Sequence, residues 1–217
     1  MKNYKVSEGL AIFIAIAGSL VMLGWIFNIG ILKSILPVWV TMKATTALSF
    51  ILSGITVYFI AKSQQKSSGA TLVILPISTM LLLLLMVTHL SATCLGLSLG
   101  LDGLFVKESN GVVMSVAPGR PSLATMIEFI LIAVAGVLTM LNPAKLKAWL
   151  VFLGWVVMFI GSMAVIGYIF RIPVLYYYIE GVSTAMACHT SILFVLSGLS
   201  LVFSGIKKQV VSQVRDD

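Results

Sequence analysis

Six apolar stretches, at 10–29, 41–61, 70–95, 123–141, 149–170 and 184–206, limit what this chain can fold into. Each holds about 20 residues, which as a helix spans a hydrocarbon core of roughly 30 Å. With 59% hydrophobic residues, 10% charged ones and a mean hydropathy of +1.11, the chain cannot cover itself with a wet exterior. An irregular or sheet-edge backbone is too costly in lipid, so the expectation is an all-α polytopic membrane protein with six transmembrane helices. A net charge of +7 in a soluble protein would point to nucleic acid. Here the basic residues fall almost wholly between apolar stretches, where topology and anionic head groups account for them, and no nucleic-acid partner is expected. The first stretch ends in Trp25, Phe27 and Asn28 rather than at a small-residue cleavage site, so it reads as a retained span and not a signal peptide.

A repeated pattern subdivides the six. Thr190, Phe194 and Gly198 stand four residues apart, on one helix stripe. The spacing recurs as Thr46, Phe50 and Gly54, and more weakly as Thr125, Phe129 and Ala133. Each copy opens a later apolar stretch, and two preceding stretches close on similar words, Gly24-Trp25-Ile26-Phe27 and Gly167-Tyr168-Ile169-Phe170. Such self-similarity predicts one supersecondary unit used three times, as helical hairpins at about 8–62, 70–141 and 149–206 of a single membrane domain, 1–217. Packing is the plain role of the repeat: glycine admits a neighbouring backbone, Phe fills space, and Thr forms hydrogen bonds within or between helices. Pro76 predicts a kink in the third span.

Orientation follows from the basic residues. Lys2, Lys5, Lys62, Lys66, Lys145, Lys147, Lys207, Lys208 and Arg215 fall on one side, and Lys33, Lys43, Lys107, Arg120 and Arg171 on the other. This bias puts both termini, including the tail 207–217, in the cytoplasm. Pro173 and the run Tyr176, Tyr177, Tyr178 suit the opposite membrane interface.

Few polar groups fall within the spans. Counted from the cytoplasmic ends, His89 stands roughly 25 Å up the third span, and Glu128 roughly 20 Å up the fourth, with His189 at a similar height in the sixth. Glu128 is the sharpest signal, because a carboxylate at mid-membrane costs at least about 2.5–3.5 kcal/mol unless protonated or partnered. It reads either as a ligand-binding or proton-accepting group in a cavity, or as a group bonded to a neighbouring helix for packing. His89, His189 and Thr45 (the residue that aligns with His189 in the repeat) join it as ligand-binding candidates. His89, Cys94, Cys188 and His189 are candidate ligands for haem or a soft metal, although no Cys-x-x-Cys or His-x-x-x-His spacing supports them. Interhelical hydrogen bonding and small-residue packing are the alternative reading for these four. The two cysteines give no sign of a disulfide framework. Asp102 and Glu108 read as solvated loop charges, and no catalytic constellation is visible.

Three segments resemble a known family. "LKSILPVWVTMKATTALSFILSGI" is similar to the opening of multi-pass sensor regions in prokaryotic histidine kinases and diguanylate cyclases. "GLDGLF" with "PGRPSLAT" resembles their middle, and "GYIFRIPVLY" with "STAMACHTSILFVLSGLSLVFS" their close, where Met-x-x-His-Thr-x-x-x-Phe recurs. The likeness, to MASE-type membrane-associated sensor domains, runs over nearly the whole chain in the same order. It implies a non-enzymatic input domain in a prokaryotic cytoplasmic (inner) membrane, relaying a ligand or membrane condition to a cytoplasmic signalling module of the two-component or cyclase kind. Such relatives often place Asn before the repeat Thr, where this chain has Thr45 and Ala124, and they continue into an output module. The sequence ends at Asp217, which favours an excised input domain, a self-contained receptor or homodimer, or a small subunit of a membrane complex with a scaffolding or cofactor-holding role. A transporter is less well supported, since no pair of broken helices occupies matching positions.

Overall fold

The computed structural model describes residues 2–36, 38–65, 68–97, 114, 119–180 and 183–206. Pro37, Lys66, the loop residues Asp102, Lys107 and Glu108, and the tail 207–217 lie outside them. The described residues form seven α-helices: α1 (Lys2–Ile26), α2 (Gly30–Lys33), α3 (Ala44–Ser63), α4 (Gly69–Cys94), α5 (Leu123–Leu141), α6 (Leu146–Phe170) and α7 (Cys188–Gly205). A 3-10 turn, Pro173–Tyr176, follows α6, and no strand forms among the described residues. All but α2 are long and apolar enough to cross a membrane, so the expected six spans are present.

Burial sorts the six into two rings. Within their apolar windows, α3 and α7 are 67% buried and α5 56%, whereas α1 and α4 are 33% buried and α6 39%. The inner helices are therefore α3, α5 and α7, the ones that carry the Phe of the repeat. Phe50, Phe129 and Phe194 are each fully buried, and each ring touches the other two, with centroids 4.8, 4.9 and 4.7 Å apart. Tilted and edge-on arrangements of this kind are favoured by the ring quadrupoles.

Each inner helix has an outer companion. α1 packs along α3, α6 along α7 and α4 along α5. Close approach rests on glycine. A β-carbon on Gly54 would lie 2.7 Å from Ala11 O, and one on Gly198 would lie 2.5 Å from Gly154 O. No larger residue fits either place without moving the neighbouring helix. At one end of the bundle, Ser7 of α1 exchanges hydrogen bonds with Ser200 and Ser204 of α7, at 2.7–2.9 Å. Both termini of the helical bundle therefore lie at the same end.

The ends of four spans differ from the sequence reading: α1 runs Lys2–Ile26 where 10–29 was expected, and the other three differ for reasons visible in the backbone. Where helix was expected from 41 and from 184, the chain stays extended until Lys43 (φ −67°, ψ 150°) and Ala187 (φ −66°, ψ 147°). These lead-in segments are buried and their carbonyls are held from the side: Trp25 Nε1 donates to Met42 O at 2.8 Å, and Tyr168 Oη donates to Met186 O at 2.8 Å. A backbone held by such bonds need not be helical to be satisfied in a dry place. α6, by contrast, starts three residues earlier than the expected 149, at Leu146. The helix α4 runs through Pro76, with Ser78 Oγ donating to Leu75 O beside it.

Two outcomes are expected in mixed-micelle unfolding. Trp25→Phe and Tyr168→Phe, which each leave a buried carbonyl without its donor, should each cost about 1–3 kcal/mol. Gly198→Val, which forces α6 and α7 apart, should cost about 1–3 kcal/mol through overpacking.

Candidate functional site

Glu128 sits at the second turn of α5, about 8 Å from that helix's start. Its neighbour in sequence, Phe129, takes the place at the bundle centre, so Glu128 is turned about 100° away, toward α6. It is 0% exposed, and neither carboxyl oxygen has a hydrogen-bond partner among the described residues. The backbone of Gly161 in α6 faces the group without hydrogen-bond geometry. A buried polar group left in this condition is uncommon and costly, because the desolvation is not compensated.

The second neighbour comes from a segment not expected to enter the bundle. After α6, the chain turns at Arg171 (φ 57°) and Tyr177 (φ 62°), and the 3-10 turn lies between them. This doubles the chain back, so that Tyr177 Oη donates to Ile160 O at 2.9 Å, well down α6 from its end. Burial pushes the Tyr177 phenol up to about 12, and the charge of a neighbouring Glu128 carboxylate adds to it. The hydroxyl, bonded to Ile160 O, is therefore an electrostatic neighbour of the carboxyl, with no hydrogen bond between the two among the described residues. Met186, whose N–H donates to Tyr176 O at 3.0 Å, fastens the same fold-back to the lead-in of α7.

The other candidates are placed differently. Thr45 Oγ1 donates to Gly119 O at 3.1 Å, tying the start of α3 to the segment that precedes α5. That is a structural tie. His89 is buried in the last third of α4. His189 is the second residue of α7, and its Nε2 has no hydrogen-bond partner among the described residues. Cys94 is exposed and Cys188 buried, and both are free thiols. Among the described residues, no three His, Cys, Asp or Glu side chains come together as a group able to hold a metal ion. Of the groups counted into one layer, Glu128 has Tyr177 as an electrostatic neighbour.

In the packing repeat, Phe50, Phe129, Phe194, Gly54 and Gly198 do as described above. Thr46, Thr125 and Thr190 are buried, and Thr125 completes a cap in which its N–H donates to Ser122 Oγ at 3.2 Å. Tyr177 was legible only as an interfacial tyrosine, because nothing in the run of three tells which ring turns inward. At the same end of the bundle an aromatic cleft of about 390 Å³ opens between Trp39, Tyr168 and Tyr176, with Arg171 among its lining residues.

Comparison with known proteins returns no matching family model, curated protein or solved structure. The class is therefore set by the fold alone: an all-helical chain with six membrane-spanning helices, of the multi-pass membrane type.

The raised Tyr177 value fixes the sign of a pH effect. Between about 10 and 12 the unfolded chain releases the phenolic proton while the folded one keeps it. The stability this group contributes is whole below pH 10 and is lost as pH rises to about 12. Thermal unfolding in detergent at pH 9 and pH 11.5 should show a smaller drop in Tyr177→Phe than in the parent chain.

Proposed function

We propose that the chain is a non-enzymatic sensor or input domain of a prokaryotic cytoplasmic membrane, with both termini cytoplasmic, built from three copies of one helical hairpin and related in kind to the MASE-type domains it resembles. The matched donors Trp25 and Tyr168, onto Met42 O and Met186 O, support the hairpin copies. The excess of basic residues beside the chain termini supports the orientation.

The buried Glu128 carboxyl, with no hydrogen-bond partner among the described residues, carries the reading. A group in that state is stabilised by whatever completes it, either a proton or the polar end of a ligand. Tyr177 has one proton, now given to Ile160 O, and Glu128 competes for it. Moving that hydrogen bond loosens the fold-back 171–180 from α6 and hence its hold on the lead-in to α7. The last span then carries the change to the cytoplasmic side. A stimulus acts only by its different affinity for the two arrangements.

Amide hydrogen exchange in lipid nanodiscs tests this. Glu128→Gln brings its own donor, so it should alter exchange across 171–180 by about fivefold, the effect of one hydrogen bond of roughly 1 kcal/mol, while exchange in the middle of α3 stays unchanged. The same substitution should shift the output of a kinase fused after α7. Unaltered exchange and unaltered output together would sink the proposal.

A second reading, as a subunit of a membrane complex, is favoured by one feature. Trp149, Phe152, Trp155 and Phe159 are all exposed along α6. Trp155 lies about 14 Å from the start of that helix, deeper than the interfacial belt where Trp usually sits. Under this reading, a polypeptide extracted together with the chain is released by Trp155→Leu, and its absence from the parent extract favours the sensor.

A further inference from the structure

At the bundle end that holds the start of α1 and the end of α7, two clefts adjoin. One, of about 470 Å³, lies between the end of α3, the start of α4 and the end of α5, and is walled by Leu72, Leu75, Pro76 and Met140. Leu72 is 71% exposed, so this cleft opens on the side that faces lipid. The other, of about 380 Å³, wraps the short link between α5 and α6 and includes Lys145 and Lys147. Gln64 and Asn142 line both clefts, which makes them one continuous gutter, apolar along the bilayer and cationic at the surface.

Charge at this end is one-sided. Lys5, Lys62, Lys145 and Lys147 lie here, and Glu8 is the only acidic residue among the described ones at this end. Glu8 is engaged by Lys62 at 3.9 Å and by Gln65 Nε2 at 2.5 Å. Lys145 and Lys147 have no acidic partner among the described residues. Two unneutralised ammonium groups beside a polar pair of amides, directly above an aliphatic groove, match an anion attached to a hydrocarbon chain. Basic pockets between spans on the cytoplasmic side are a recurring way to hold such head groups.

We propose that this gutter binds one anionic phospholipid, its phosphate held by Lys145 and Lys147 with Gln64 and Asn142 as side-chain donors, and one acyl chain laid along Leu72, Leu75 and Met140. The site is independent of Glu128 and lies at the other end of the bundle. It joins α3, α4, α5 and α6, so an occupied gutter ties the middle hairpin to its neighbours on both sides.

Native mass spectrometry with phosphatidylglycerol and phosphatidylcholine of identical acyl chains tests it. The parent chain should retain one phosphatidylglycerol in preference, with roughly a fivefold contribution from each lysine. Lys145→Gln with Lys147→Gln should bring the two lipids to parity. Lys5→Gln with Lys62→Gln, the control for general surface charge, should keep the preference. Met140→Trp, which fills the groove without touching charge, should weaken retention of both lipids. Equal retention by the parent chain, a preference that survives loss of Lys145 and Lys147, or equal loss in the control pair would overturn the proposal. So would displacement of the lipid by millimolar inorganic phosphate, which would assign the site to a free anion. Helical circular dichroism confirms that each variant is folded.

Discussion

Three phenylalanine rings, from three helices far apart in sequence, meet at the centre of this bundle. In lipid, helices gain little from hiding apolar side chains from one another, since the acyl chains outside are just as apolar. Association must come from close, shaped contact. The rings of Phe50, Phe129 and Phe194 supply it at the axis, and Gly54, Gly198 and Gly136 supply it between α3 and α1, α7 and α6, and α5 and α4. Put together, these contacts fix which helices are inner, and the rest follows: α3, α5 and α7 inside, with α1, α4 and α6 around them.

That arrangement also sets where polar groups fall. One residue before Phe129 on the helix is one step of about 100° round from the axis, and there Glu128 meets α6 rather than the bundle centre. The backbone of Gly161 on α6 faces it, while a side chain at that position would point to Ser191 and Phe194 of α7. A second neighbour, Tyr177, comes from a loop. Two left-handed residues, Arg171 and Tyr177, turn the chain back far enough for one tyrosine to reach the α6 backbone. A carboxyl without a hydrogen bond among the described residues and a hydroxyl given to Ile160 O thus stand as neighbours within a frame that is otherwise tightly packed.

Much of the frame was legible in the sequence because its causes are periodic. Hydrophobic length gave the six spans, and the fourth was bounded at Leu123 and Leu141 as observed. The repeated Phe and Gly fall where helices are buried against one another. What periodicity does not carry is rotation about the helix axis and the path of loops. For that reason counting residues along helices gave heights for Glu128, His89 and His189 but neither the nearness of Tyr177 to Glu128 nor the bond from Thr45 to Gly119 O. The late starts of α3 and α7 were likewise hidden. They depend on Trp25 and Tyr168 donating to carbonyls 17 and 18 residues ahead, in segments whose own apolar composition is that of a helix.

The central claim, that the three rings touch and hold the inner helices together, is tested most directly by a double-mutant cycle on Phe129 and Phe194. Each is replaced by Leu, singly and together, and unfolding is followed in mixed micelles. Rings in contact predict a coupling of about 0.5–1.5 kcal/mol, and it should shrink when Phe50 is also replaced. Losses that simply add, within about 0.3–0.5 kcal/mol, would place the rings apart and contradict the account.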